Sequence, residues 1–549
     1  MTSNVGTSAT SPTALPRSRV AWRRPFEAWL DGIEAGWAIP LLLVIFVAVW
    51  MGFLTLAYVN ADLHPDVLET WSVGRTFEWG NPKHPPLMGW IAYLWSQLFP
   101  LADWSFHLLA MINAALALWV VDLIARRYVR GDKRIIVLLL LMLVPAYHFH
   151  AQRFNANSVL LVLWPLAAYC FLRSYETPRS VRWAVAAGIC AALAMLGKYY
   201  SVFLIGGFVV AAVLHPQRRA YFTSWAPWLS TVAGLLVLAP HLHWLVASDF
   251  APFTYAETGH TGRGQWLAVQ EASKFLLGIV AYFIAPAFAW LLMIRASLRR
   301  FGDDLRRMQA APRLLLLVFA GTVVLPVVVG VALGADLPAL WHLQGLFFVV
   351  VAVVIATSFA VDRFDTVNLA VVLLLLSVVT VAAAPFHSIY RNTEGYKEGR
   401  HFYRLAAEEL TRQWHALAAT PLPAVSGDDS LAFATAFYSP DHPFYGRPFR
   451  LQYAWSLPPQ RKLDRGWAAL CFRDDAPCMG WMQRLETEQT HFVRTEFTLT
   501  ATLWGRPGTS ATVVAMMALP RTTDAAPAAP GAQAPKDVSA SRRREAPGP

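Results

Sequence analysis

The chain predicts a mainly α fold: a polytopic transmembrane helical bundle of about eleven spans, with outer juxtamembrane helices and a small C-terminal α/β extracytoplasmic domain. Three observations predict it. The first is composition, because 56% hydrophobic residues, 23 tryptophans and 15% charged residues in 549 are too apolar for a soluble protein of ordinary make-up. The second is a series of apolar runs, at 39–58, 105–125, 135–149, 157–173, 183–197, 200–214, 225–246, 266–294, 313–333, 341–361 and 366–385. Each crosses or nearly crosses a hydrocarbon core about 30 Å thick. The third is the change of composition and period after the last run.

The first run is too long, and its flanks too unlike a cleavage site, for a removable signal, so it reads as an anchor. The net charge of +11 would suit a polyanion, but the basic residues lie in short clusters between apolar runs, as topology signals do. One side collects Arg17, Arg19, Arg23 and Arg24, then "ARRYVRGDKR", Arg173, Arg179 and Arg182, "HPQRR" and "RASLRRFGDDLRRM". The other side holds single basics such as Arg75, Lys83, Arg153 and Arg263. The N-terminus is thus expected to be cytoplasmic, and an odd number of spans puts residues 387–549 outside. Of the 15 histidines, His215 alone falls clearly in a cytoplasmic loop, so any chemistry is expected to face outward.

The expected organisation is a cytoplasmic tail at 1–38, a membrane domain at 39–386, an outer α/β domain at 387–520 and a disordered tail at 521–549. Residues 1–24 and 521–549 are rich in Ser, Ala, Pro and Arg, the composition of disorder. In the outer domain "GYKEGRHFYRLAAEELTRQWHAL" patterns as an amphipathic helix. The stretches "LPAVSGDDSLAFATAFYS", "RPFRLQYAW", "RGWAALCF" and "HFVRTEFTLTATLWGRPGTSATVVAMMAL" mix strand-like with turn-like text. Cys471 and Cys478 flank "FRDDAP", where an oxidising compartment permits a disulfide; two free thiols are the alternative. The Walker pattern, the dinucleotide glycine fingerprint and the zincin His-Glu pattern are missing from the text, which speaks against a nucleotide-driven pump.

The densest early polar cluster is "HPDVLETWSVGRTFEWGNPKHPPL", His64 to Leu87, directly after the first run. Pro65 suits the first turn of a short helix on which Asp66 and Glu69, three apart, share a face. "KHPP" then halts the segment, since neither proline donates a hydrogen bond. Lys83 and His84 are thereby held at the membrane surface, with Trp71, Phe77 and Trp79 at headgroup depth. A bland reading stands beside this one: the acids cap a helix, and the basic and aromatic residues touch lipid headgroups. Lys198, in "LGKYYS" between two apolar runs, is costly there unless it snorkels or meets an anion. The pairs His148/His150 and His241/His243 point apart on a helix and so suit interfacial roles better than a shared metal.

The spacing from Asp66 to His84-Pro85-Pro86, followed by "LMGWIAYLWSQLFP", resembles the first outer loop of bacterial glycosyltransferases of the C superfamily. The likeness is to the protein mannosyltransferase-like group that also holds the lipid A aminoarabinose transferases. "HFHAQRFNANSVLLVLWPLAAYCFLRS" and "AMLGKYYSVFLI" agree with it, as does "GADLPALWHLQGLFFVVVAV" more loosely. Two departures stand out. The family's Asp-Glu pair is Asp66-Val67 here, and its frequent Pro-Asp is replaced by Asn155-Ala156-Asn157.

The resemblance implies inverting transfer of a sugar from a polyprenyl phosphate to an envelope acceptor, lipid A or another glycolipid, at the outer face of a bacterial inner membrane. Asp66, with Glu69, is the implied base or orienting group. His84, Lys83, Arg153 and Lys198 are the implied cations for the donor phosphate, and Trp71, Asn155, Asn157 and Tyr199 line the sugar or acceptor pocket, with Trp79 and Trp341 at similar depth. A divalent cation would find a thin ligand set in Asp66, Glu69 and Asn157, so no cofactor is firmly implied. The implied partners are the lipid-linked donor, the acceptor and membrane lipids, with no nucleic acid. Two alternatives remain: a transporter or flippase of a lipid-linked sugar, and a protein O-glycosyltransferase. Transporters concentrate ionisable residues near the midplane, whereas here they gather at outer ends.

Overall fold

The computed structural model describes residues 21–262, 264–295, 297–448, 466–488 and 491–520. The helices, in order, are α1 (Arg24–Ala35), α2 (Ala38–Ala57), α3 (Pro65–Gly74), α4 (Leu87–Leu98), α5 (Asp103–Ala125), α6 (Asp132–Met142), α7 (Leu160–Glu176), α8 (Val181–Gly197), α9 (Val202–Leu214) and α10 (Arg218–Phe222). They continue as α11 (Ala226–Ala247), α12 (Ala251–His260), α13 (Gln265–Met293), α14 (Leu298–Arg306), α15 (Ala310–Leu333), α16 (Phe347–Ala356), α17 (Arg363–Glu394), α18 (Tyr403–Leu417), α19 (Asp429–Tyr438) and α20 (Ala476–Glu488).

Every expected apolar run is largely helical, but their lengths differ. Among the described residues six helices, α2, α5, α11, α13, α15 and α17, are long and apolar enough to cross a membrane, or seven with the pair Ala339–Gly345 and Phe347–Ala356, bent by 42°. The other runs make shorter helices: α6, with 11 residues, rises only about 16 Å. The count of eleven full spans is therefore not reached by length, because several runs are divided between a helix and a neighbouring turn.

Two further differences concern the ends of the bundle. Within the expected N-terminal tail, Arg24–Ala35 is a helix: Pro25 occupies its first turn, Leu30 and Ile33 are buried, and Gly36, at φ 89°, closes it. Residues 1–20 and 521–549 lie outside the described part. At the other end α17 runs on past residue 386 to Glu394, so the C-terminal sheet region is carried on a continuous helix.

The C-terminal region holds a five-stranded sheet of order β2-β1-β3-β5-β4, from β1 (Ala424–Gly427), β2 (Phe444–Pro448), β3 (Trp467–Phe472), β4 (Phe492–Leu503) and β5 (Arg506–Ala518). β1, β2 and β3 pair in parallel, while β5 joins β3 and β4 antiparallel. "WAALCF" is apolar throughout because both faces are covered. Ala468 and Leu470 join the main core, while Trp467, Ala469 and Cys471 pack with Cys478, Trp481 and Met482 of α20. Cys471 and Cys478 form a disulfide with Cα atoms 5.7 Å apart. Trp504 and Gly505, both at positive φ, make the two-residue turn between β4 and β5.

Two strand-like expectations change. In "LPAVSGDDSLAFATAFYS" only Ala424–Gly427 is a strand; Asp428 then accepts the Leu431 amide at 3.0 Å and starts α19. Of "RPFRLQYAW" only Arg447 and Pro448, at the end of β2, are described. The expected amphipathic helix begins eight residues late, at Tyr403, after a short turn at Lys397–Gly399.

The C-terminal region clamps the segment that leads into α3. Arg404 donates its amide to Asp62 Oδ2 at 2.9 Å and its guanidinium to Asp103 at 2.6 Å. The Tyr438 hydroxyl donates to Asp103 at 2.7 Å and accepts the Leu63 amide at 2.8 Å. Arg75 donates to the carbonyls of Pro443 and His442 at 3.0 and 2.8 Å. Burial, then the neighbouring Asp103 carboxylate, pushes Asp62 up to about 7 from 3.8. The folded protein therefore holds this proton where the unfolded chain has released it, so stability falls as pH rises from about 4 to 7. Asp62→Asn is expected to flatten the thermal-denaturation midpoint across that window, measured in detergent.

α3 and α4 cross closely, since a Cβ on Gly74 would stand 2.0 Å from the Gly89 carbonyl oxygen. Gly74→Ala is expected to force them apart at a cost of about 1–3 kcal/mol, read as a lowered denaturation midpoint.

Candidate active site

The site grows from the start of α3. His64 takes an extended backbone and caps the helix, its Nδ1 accepting the Asp66 amide at 3.2 Å. Burial, with the charges of Arg153 and Arg400 adding to it against Asp66, pushes His64 down to about 4, so the ring is neutral at neutral pH. Nδ1 also lies 3.6 Å from Asp66 Oδ2. The Asp66 side chain is 43% exposed, which leaves its carboxylate open to a ligand in an otherwise buried segment.

A second loop holds Asp66 in place. The Asn155 side-chain oxygen accepts the amides of Asn157 and Ser158 at 2.9 and 3.1 Å, which forms a tight turn before α7. Its Nδ2 is thereby free to donate to Asp66 Oδ2 at 3.0 Å. Asn157 accepts from Lys198 Nζ at 2.6 Å. Lys198 sits in the extended break between α8 and α9 (φ −164°, ψ 138°), 4.6 Å from the Trp341 ring centre. Burial pushes the Lys198 ammonium down to about 7, Asp66 opposing and Lys83 assisting the shift.

The "NPKHPP" turn closes the other side. Asn81 accepts the amides of Lys83 and His84 at 3.0 and 2.8 Å, and its own amide donates to the His84 carbonyl at 3.1 Å. Lys83 Nζ donates to Glu69 Oε2 at 2.7 Å. Burial disfavours the Lys83 charge, but Glu69 outweighs it and the ammonium is held above its usual range. Tyr199 donates to His241 Nε2 at 3.1 Å, because His241 Nδ1 is committed to the Trp79 carbonyl at 2.6 Å.

Asp66, Asn155, Asn157, Lys198, Lys83 and Glu69 are thus linked through hydrogen bonds and charge. Lys83 and Lys198 both act on Asp66 through charge, while Arg153 acts on His64. Glu69 shares the Asp66 face, yet it is 7% exposed and committed to Lys83. Val67, the position of the family's second acid, is 2% exposed in the core. Trp71 is turned away from the pocket: its ring packs edge-on to Phe437 and its Nε1 donates to Ser96. The His-x-His pairs part company, His148 stacking on Trp50 and His150 facing Tyr282. Among the described residues no group of three or more His, Cys, Asp and Glu side chains is placed to hold a metal ion. Asp66 meets an amide N–H and an imidazole rather than a second carboxylate, which does not fit the oxygen-rich ligand set of a divalent cation. Asp62, Arg400 and Gln152 went unnoticed in the sequence; the only hint was the charged text "EGRHFYR" directly after the last span.

Residues 83–244 match the family of dolichyl-phosphate-mannose-protein mannosyltransferases. That match takes in Lys83, Asn155 and Lys198 and leaves Asp66 outside. The structure resembles ArnT from Cupriavidus metallidurans bound to undecaprenyl phosphate, at 14% identity and a TM-score of 0.56, over 86% of this chain and 98% of that one. The apo ArnT structure gives 13% identity and a TM-score of 0.54, over 88% and 98%. No curated protein sequence matches the chain. At these identities the likeness to ArnT shows the fold alone, a helical bundle with a small C-terminal sheet, and the family match covers the part of the bundle from Lys83 to Trp244.

Proposed function

We propose that the protein is an inverting glycosyltransferase that moves a sugar from a polyprenyl-phosphate donor to an envelope lipid at the outer face of a bacterial inner membrane. The observation that carries this reading is the half-exposed Asp66 carboxylate, oriented by Asn155 and flanked by Lys83 and Lys198. An acceptor hydroxyl oxygen bonds to the anomeric carbon while its proton passes to Asp66. The bond from that carbon to the donor phosphate oxygen breaks on the opposite face, and polyprenyl phosphate leaves. Charge builds on the leaving phosphate, and Lys198 and Lys83 stabilise it more in the transition state than before. The likeness to ArnT, a protein crystallised with undecaprenyl phosphate, supports a lipid-linked donor. Mass spectrometry of envelope lipids from cells lacking the protein tests the reading: one glycolipid should be missing, restored by wild type and not by Asp66→Asn. Full restoration by a stably produced Asp66→Asn variant would remove Asp66 from the chemistry.

A further inference from the structure

A second set of donors, separate from Lys83 and Lys198, surrounds Tyr58 at the outer end of α2. Arg400 Cζ stands 5.0 Å from the Tyr58 ring centre, with His387, His107 and Tyr396 at 5.7, 6.2 and 6.3 Å. The Tyr58 hydroxyl donates to Gln152 Oε1 at 3.2 Å. Arg400 is 9% exposed and donates to the Asp62 carbonyl at 3.2 and 2.7 Å. Among the described residues no carboxylate lies within ion-pair reach of it. Gln152 is 7% exposed, and its Nε2 has no hydrogen-bond partner among the described residues, nor does the buried Arg391 Nε. Arg391 Cζ lies 5.8 Å from the Tyr396 ring that Arg400 also faces.

A buried guanidinium with no acid in direct contact, and two buried N–H donors without acceptors among the described residues, are costly unless something supplies oxygens. A tetrahedral oxyanion does so, and guanidinium groups bind it in fork geometry. Below the cluster the aromatic contacts run on from Tyr58 to Phe53 and Phe149. They lead to an apolar cavity of about 510 Å³ lined by residues such as Phe46, Trp50, Phe149 and Leu373. We infer that this is a binding site for an anionic amphiphile of the outer leaflet, its phosphate-type headgroup among Arg400, Arg391 and Gln152 and one chain in the cavity. Under the proposed function, on which this part rests, that amphiphile is the acceptor.

Native mass spectrometry of the full-length protein in detergent tests it, with phosphatidic acid, phosphatidylcholine of the same chains, inorganic phosphate and undecaprenyl phosphate as probes. Phosphatidic acid should be retained over phosphatidylcholine. Arg391→Gln and Gln152→Leu should each weaken it on the order of tenfold and leave undecaprenyl phosphate binding unchanged, while Lys198→Met should do the reverse. Equal retention of the two phospholipids, or unaltered phosphatidic acid binding in both variants, overturns the site. Inorganic phosphate binding as well as phosphatidic acid overturns the amphiphile. Failure of wild type to bind undecaprenyl phosphate would instead count against the proposed function and leave this site standing.

Discussion

Asp66→Asn is expected to lower kcat by on the order of 10²–10⁴-fold while leaving the donor's Kd within a few-fold of wild type. The amide keeps the size of the side chain and can turn its oxygen to Asn155 Nδ2, so the 3.0 Å contact survives. What is lost, under the proposed function, is a group that takes a proton and balances charge on the sugar. Glu69→Gln should behave differently, although the two acids share a helix face. Glu69 is buried against Lys83 at 2.7 Å, and its neutralisation removes the charge that offsets burial of that ammonium, a loss of up to about 3–5 kcal/mol. That variant should unfold at lower temperature. Single-turnover rates, lipid-binding titrations and thermal melts on the two purified variants separate the roles. Equal kcat losses with equal stability would mean that the acids work as a pair.

Donor binding should weaken as pH rises from about 7 to 9, and Lys198→Arg should remove most of that dependence. The sign follows from the shift: burial pushes the free Lys198 ammonium down to about 7, so its charge is lost through this range unless a phosphate arrives to hold it. Below that range the ammonium is charged and binding is flat. An arginine keeps its charge throughout. Lys198→Met should bind weakly at every pH, on the order of tenfold or more. Titration of undecaprenyl phosphate across pH reads this directly, and an unchanged pH profile in Lys198→Arg would place the titrating group elsewhere.

The bundle was legible because spans are written in consecutive residues, and each apolar run became mainly helix. Their number was less so: a run such as 135–149 reads as one apolar block, but is split into α6 and the turn at Pro145–Tyr147. Lys198 was legible for a local reason, a charge between two apolar runs with no neighbour to explain it. Trp71 misled for a local reason as well. It has the right depth, but five residues from Asp66 is about 140° around a helix, which turns it into the Phe437 contact. Of the Tyr58 cluster only Arg400 left a trace in the text, the charged "EGRHFYR". Arg400 meets Asp62 across 338 residues, and nothing near Asp62 says that the C-terminal part folds back onto the first loop.

Sugar transfer should need no protein but this chain. Purified protein in detergent is given a polyprenyl-phosphate sugar labelled in the sugar and an extract of envelope lipids. A labelled glycolipid whose anomeric configuration is opposite to the donor's is expected, formed by wild type and suppressed in Asp66→Asn. Intact donor with no labelled lipid, together with donor crossing the bilayer in liposomes that hold the same protein, would contradict it and make the chain a transporter.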